Sequence, residues 1–205
     1  MKKPLILLAL FLIGLTAFAQ EETLFDNASV VGGFGGPLFV YSNVNNEFGS
    51  GAGGGGGVII NQFFIGGFGV GLGNFADVNI GNDRYEIDLG YGGFWLGYVP
   101  LSYKVIHPYV STQLGWGGVS LDPDKEVTND PDYNDAVFVV TPEAGLELNV
   151  FTWFRLSFTG GYRFVMGVDD IPNLTDRNLS SFSGALTLRF GGFGHYQRPK
   201  EPSNW

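Results

Sequence analysis

The 205-residue chain contains no cysteine. That removes disulfides, thiol catalysis, cysteine-ligated zinc and a cysteine-anchored lipid in one step. Two histidines, His107 and His195, leave little for metal or acid–base chemistry. Charged residues make up only 15% of the chain, against about 25% for a typical soluble domain. The 11 Lys and Arg stand against 20 Asp and Glu, a net charge of −9. No basic patch occurs, so nucleic acid, whose phosphates need clustered cations, is excluded as a partner. Beyond the N-terminus no segment carries the ~18 consecutive apolar residues of a spanning helix.

What is present points elsewhere. Hydrophobic residues make up 44% and aromatics 16%, with 33 glycines, far too apolar for a disordered chain and without the G-X-Y period of collagen. An apolar, aromatic, glycine-rich and charge-poor composition suits a membrane barrel better than a cytosolic enzyme. At the N-terminus, Lys2 and Lys3 precede an apolar run from Leu5 to Phe18, and Ala17-Phe18-Ala19 supplies small residues for cleavage. This predicts a signal peptide over 1–19, with an exported chain from Gln20.

Glycine interrupts almost every apolar stretch of that chain, which costs a helix about 1 kcal/mol each time. Period-two alternation, the strand signal, recurs instead. In 151–166, Phe154, Leu156, Phe158, Tyr162, Phe164 and Met166 oppose Arg155, Ser157, Thr159, Gly161 and Arg163. In 136–150, Ala136, Phe138, Val140, Ala144, Leu146 and Leu148 oppose Thr141, Glu143, Gly145, Glu147 and Asn149. In 181–193, Phe182, Leu186, Leu188 and Phe190 oppose Ser183, Thr187 and Arg189. The same spacing predicts five further strands at 29–42, 50–60, 63–75, 84–99 and 108–121. Each is long enough to cross a bilayer, which takes about 9–11 tilted residues.

Connections alternate between short (61–62, 149–152, with 100–107 intermediate) and long and polar (43–49, 76–83, 122–134, 167–180). That is the transmembrane-barrel pattern of short periplasmic turns and long outer loops. The fold class expected is therefore all-β, an eight-stranded antiparallel up-and-down transmembrane β-barrel over 20–194, with a C-terminal tail over 195–205. A soluble eight-stranded barrel has the same strand count. The membrane reading is preferred because the polar face carries residues small enough for a narrow lumen, and because Tyr85, Trp95, Tyr109, Trp116 and Tyr162 are placed as lipid-facing aromatic girdles.

The chain resembles the small eight-stranded outer-membrane barrels of the OmpA and OmpX kind, especially their glycine-rich versions. The resemblance covers nearly the whole exported chain and rests on this pattern. Ser183-Gly184-Ala185-Leu186-Thr187-Leu188-Arg189-Phe190 is similar to that family's C-terminal assembly signal, with Ala185 in its glycine place; here the chain runs on through Gly191 to Trp205. The resemblance implies a monomer in the bacterial outer membrane, and the even strand number predicts that both termini are periplasmic. It also implies outer-membrane lipid, periplasmic chaperones and the barrel assembly machinery as partners.

No catalytic, cofactor-binding or metal-binding residue is assigned. The stretches 51–57 and 32–36 match phosphate-binding loops only in being glycine-rich, with no Lys-Ser/Thr following. Asp122, Asp124, Glu126, Asp130, Asp132 and Asp135 crowd one loop, but the glycine of a calcium-binding loop is missing, and a solvated loop is expected. A non-enzymatic structural or surface-interaction barrel, working through long acidic loops, is the function expected. The alternatives are a lipid-modifying outer-membrane enzyme, which would need His107 or His195, and a narrow small-solute channel. Finally, Arg84, Glu86, Asp88, Glu143, Glu147, Arg155, Arg163 and Arg189 are expected on the lumen face, with Glu147 directly opposite Arg155 as a cross-strand pair.

Overall fold

The computed structural model describes residues 28–44, 47–73, 77–80, 83–123 and 133–194. The expected signal peptide, the expected tail with His195, and Asp124, Glu126, Asp130 and Asp132 lie outside the described residues. The strands are β1 (Val30–Val44), β2 (Glu47–Ile60), β3 (Phe63–Leu72), β4 (Asp77–Ile80), β5 (Asp83–Tyr98), β6 (Ile106–Pro123), β7 (Asn134–Phe151), β8 (Phe154–Met166) and β9 (Ser181–Gly192), with one short helix, α1 (Asp176–Leu179). Every pairing is antiparallel, β9 returns to β1, and β3 pairs with β5, so the sheet closes on itself. β3 and β4 lie in line along β5 and share one barrel position. The result is a closed, eight-stranded, up-and-down antiparallel barrel. Pairing of β3 with β5 closes the sheet, as an aqueous-to-lipid crossing requires, while the short β4 pairs with β5 alone among the described strands.

The alternation read in β7, β8 and β9 holds. Phe158, Phe164, Phe182 and Leu146 face outward and are exposed, while Glu147, Ser157, Arg163 and Arg189 are buried in the lumen. Glycine shapes this interior. The inward positions of β2 are glycine from Gly49 to Gly57, and the room they leave is taken by Trp95, Phe34 and Phe64 from neighbouring strands. Trp95 lies against Gly55, where an added Cβ would sit 3.0 Å from the indole ring. Phe64 lies over Gly97, where a Cβ would fall 2.1 Å from the phenyl ring.

Three expectations are corrected. Tyr85, Trp95 and Tyr109 point into the barrel, each no more than 3% exposed, because glycine-lined walls leave space that only large rings fill. Trp116 and Tyr162 do face outward. The outward aromatic clusters are built largely from other residues: Phe63 with Tyr98, and Phe151, Trp153, Phe154 and Phe190 packed together, at the end where β1 begins and β9 ends; Tyr162, Phe164 and Phe182 toward the other.

The second correction concerns Arg84, Glu86 and Asp88. They lie on the outer face of β5, and Tyr85, Ile87 and Leu89 are the inward residues. The strands run past the hydrocarbon layer at the loop end, β6 and β7 each with 18 residues where about 9–11 span. Outside lipid the polarity of the wall inverts to that of a soluble barrel, apolar inside and charged outside. Strand pairing also shortens two of the expected long loops: Val44 pairs with Glu47, and Ile80 with Asp83.

The third is register. Glu147 stands opposite Ser157, and Asn149 opposite Arg155, with a bulge between Asn149 and Phe151. The shift is two residues, which preserves the face of every side chain.

Candidate functional site

The lumen is built in three layers. At the end carrying the termini, a polar cluster centres on Glu147, which is fully buried. Its Oε1 accepts from Arg155 Nη1 at 2.9 Å and lies 3.1 Å from His107 Nε2. Its Oε2 accepts from Ser157 Oγ at 2.8 Å and from Arg189 Nη1. Four strands therefore supply one network: β6, β7, β8 and β9. Arg155 and Arg189 face each other directly across β8 and β9, and the shared carboxylate screens their repulsion. Aromatic faces complete the setting, with the Arg189 guanidinium 3.7 Å from the Phe34 ring centre and that of Arg155 4.0 Å from Phe193, both within cation–π range.

The middle layer is aromatic. Phe34, Phe64 and Trp95 meet edge to face at 5.2–5.7 Å, and Tyr109 stacks on Phe64 at 5.8 Å. Glu143 sits among them, accepting from Ser111 and from Thr159 at 2.8 Å. These rings fill the bore, as expected of so narrow a barrel.

The third layer closes the loop end. Val168, Ile171, Leu174 and Leu179 from the segment 167–180 are buried with strand residues such as Ile87, Leu121 and Val165. Arg163, fully buried, donates to the Leu179 carbonyl from Nε at 3.1 Å and Nη2 at 2.9 Å, and to Ser42 Oγ at 2.9 Å. It thereby holds the end of α1 against β1. Outside this plug, Asp135 accepts backbone N–H bonds from Asp169 at 2.7 Å and Asp170 at 2.9 Å. Those donors, with the Ala136 N–H, hold its carboxyl below the usual aspartate value. At the top of β5, burial pushes the Asp88 carboxyl up, and the neighbouring Asp122 adds to the rise.

Of the eight charged residues expected in the lumen, the structure brings Glu143, Glu147, Arg155, Arg163 and Arg189 there and leaves Arg84, Glu86 and Asp88 outside. Glu147 meets Arg155 although they are not directly opposed. Sequence reading missed His107 as a member of the cluster, although it has the inward parity of Tyr109 and Ser111. Of the acidic loop residues, the described ones separate: Asp122 meets Asp88, and Asp135 meets the 167–180 segment. His107, Glu147 and Ser157 converge, but Ser157 donates to Glu147 rather than to His107, and none is more than 1% exposed.

Closed barrel, filled bore and outward apolar band together define the small eight-stranded outer-membrane β-barrel fold. Among solved structures, the chain is similar to Neisserial surface protein A (NspA), with 14% identity and a TM-score of 0.56 over 82% of this chain and 99% of that one. It also matches Ail, the attachment invasion locus protein of Yersinia pestis, at 14% identity over 78% of this chain and 95% of that one, with a TM-score of 0.42. No protein-family model and no curated protein matches the sequence.

Proposed function

We propose that the protein is a non-enzymatic barrel of the bacterial outer membrane, with a structural or surface-interaction role carried by its loop end. The observation that carries this reading is the plugged bore with an ordered cap. Arg163 and the buried apolar residues of 167–180 close the loop end, while Asp169 and Asp170 remain exposed on it. Such a cap offers an acidic surface, and its buried residues fill the bore beneath it among the described residues. On this reading residues 1–19 are cleaved, residues 20–194 form the barrel, both termini lie in the periplasm, and the monomer is inserted by the barrel assembly machinery. NspA is by its name a surface protein, which fits this role. The test is expression in a diderm host, outer-membrane fractionation, heat-modifiable gel migration, and protease or biotin access to 167–180 on intact cells. Heat-modifiable protein in the outer membrane, labelled from outside, is expected. Recovery as a soluble periplasmic monomer would end the reading.

A further inference from the structure

The polar cluster at the end carrying the termini is not electrically balanced. The charged acid and guanidinium side chains buried in the described lumen are Arg155, Arg163 and Arg189 against Glu143 and Glu147. Locally the imbalance is sharper, because Glu147 alone accepts from both Arg155 and Arg189. His107 Nε2 also lies 3.1 Å from the same carboxylate, so Glu147 is shared among three neighbouring side chains of the cluster. An uncompensated cation in a low-dielectric interior is costly.

The same place holds a cavity and unused donors. Arg189 is 1% exposed, and its Nε and Nη2 have no hydrogen-bond partner among the described residues. Arg155 and Arg189 line a cavity of about 10 Å³ together with Phe193 and the polar Asn61, Gln62 and Ser102, about the room one water-sized particle needs. It adjoins an open vestibule of about 900 Å³ at the barrel mouth, with which it shares Ser102, Arg155 and Phe193. Among the described residues the cavity therefore opens toward this vestibule.

We propose that this cavity is a binding site for a monatomic anion of the chloride class, held by Arg155 and Arg189, which neutralises the cationic excess beside Glu147. A cavity of this size suits a single-atom anion better than sulfate or phosphate. Each guanidinium would give the ion a charge-assisted hydrogen bond. The bound ion is then part of the folded barrel, and the site stabilises it by linkage with free halide.

The test uses the full-length exported protein in detergent micelles. Crystals soaked in sodium bromide are examined by anomalous scattering at the bromine edge. A peak within hydrogen-bonding distance of the Arg189 and Arg155 nitrogens is expected, and its absence from that cavity, or water density there, would overturn the proposal. In parallel, thermal unfolding is followed as chloride replaces isethionate at fixed ionic strength and pH. The midpoint should rise and saturate for the wild type. In Arg189→Gln the half-saturating chloride concentration should increase at least tenfold. Should that variant fail to fold, Arg189→Lys, which keeps the charge but loses the planar fork, is expected to weaken chloride several-fold. A wild-type midpoint indifferent to chloride would equally sink the site, whatever the variants do.

Discussion

Glu147 is the residue on which the interior depends most. Removing it leaves two guanidinium groups directly opposed across β8 and β9 with no carboxylate between them. Breaking a buried pair by deleting one partner costs about 3–5 kcal/mol, so Glu147→Ala should lose about that much in denaturant unfolding from detergent. Arg155→Ala should cost less, because Glu147 keeps Arg189, His107 and Ser157. The double variant should fall short of the two single losses added together; strict additivity would mean that the two residues do not meet. A steric prediction belongs at this scale too. The Phe64 ring is 3% exposed and locked among Phe34, Trp95 and Tyr109. It cannot swing away from a new methyl group at Gly97, so Gly97→Ala should destabilise by about 1–3 kcal/mol. The Glu147–Arg155 contact was legible in the sequence because parity alone places both inside. The bulge near Asn149 was not, since nothing in Asn149-Val150-Phe151 distinguishes a bulged corner from a tight one, and the expected register erred by two residues.

Among the elements, the 167–180 segment departs furthest from a solvated loop. Four apolar side chains anchor it in the barrel mouth, and Leu179, fully buried, is held beside Arg163. Leu179→Ala should cost about 2–5 kcal/mol and expose 167–180 to protease while the barrel itself stays folded. The docking is also acid-sensitive. Asp135 is held low by the N–H groups of Asp170 and Asp169. A depressed carboxyl contributes stability above its unfolded value, lost as pH falls through the folded one. Below about pH 4, the amide proton resonances of Asp169 and Asp170 should therefore lose their downfield hydrogen-bonded shifts. Asp135→Asn should show the weakened shifts already at neutral pH. Alternation made the strands of this molecule readable. The cap was not, because Val168, Ile171, Leu174 and Leu179 do not alternate with period two, and Pro172 interrupts the helical spacing they keep.

At the scale of the molecule, the wall has two polarities along one axis. In the lipid-spanning part, Phe158, Phe164, Val110 and Leu146 point out while Arg, Glu, Ser and aromatic residues fill the bore. Toward the loop end the sense reverses, with Tyr85, Ile87, Leu89 and Leu121 inside and Arg84, Glu86 and Asp88 outside. A single rule of polar-inward reads the first zone correctly and the second wrongly, which is why β5 was misassigned at its start and β7 to β9 were not. The inward placement of Trp95 and Tyr109 was hidden for a related reason. It follows from glycines on neighbouring strands, and strand adjacency around the closed barrel is a tertiary fact.

The most direct test of this two-zone barrel is lipid-quenched tryptophan fluorescence in bilayers, with single-tryptophan variants keeping Trp95, Trp116 or Trp153 and bearing Phe at the other tryptophan positions. Trp116 and Trp153 are 55% and 56% exposed on the outer face, and Trp95 is 1% exposed in the bore. Lipids brominated along the acyl chain should quench Trp116 strongly, and lipids brominated near the headgroup should quench Trp153. Trp95 should respond to neither. Quenching of Trp95 with Trp116 left bright would mean that the inner and outer faces are assigned the wrong way round.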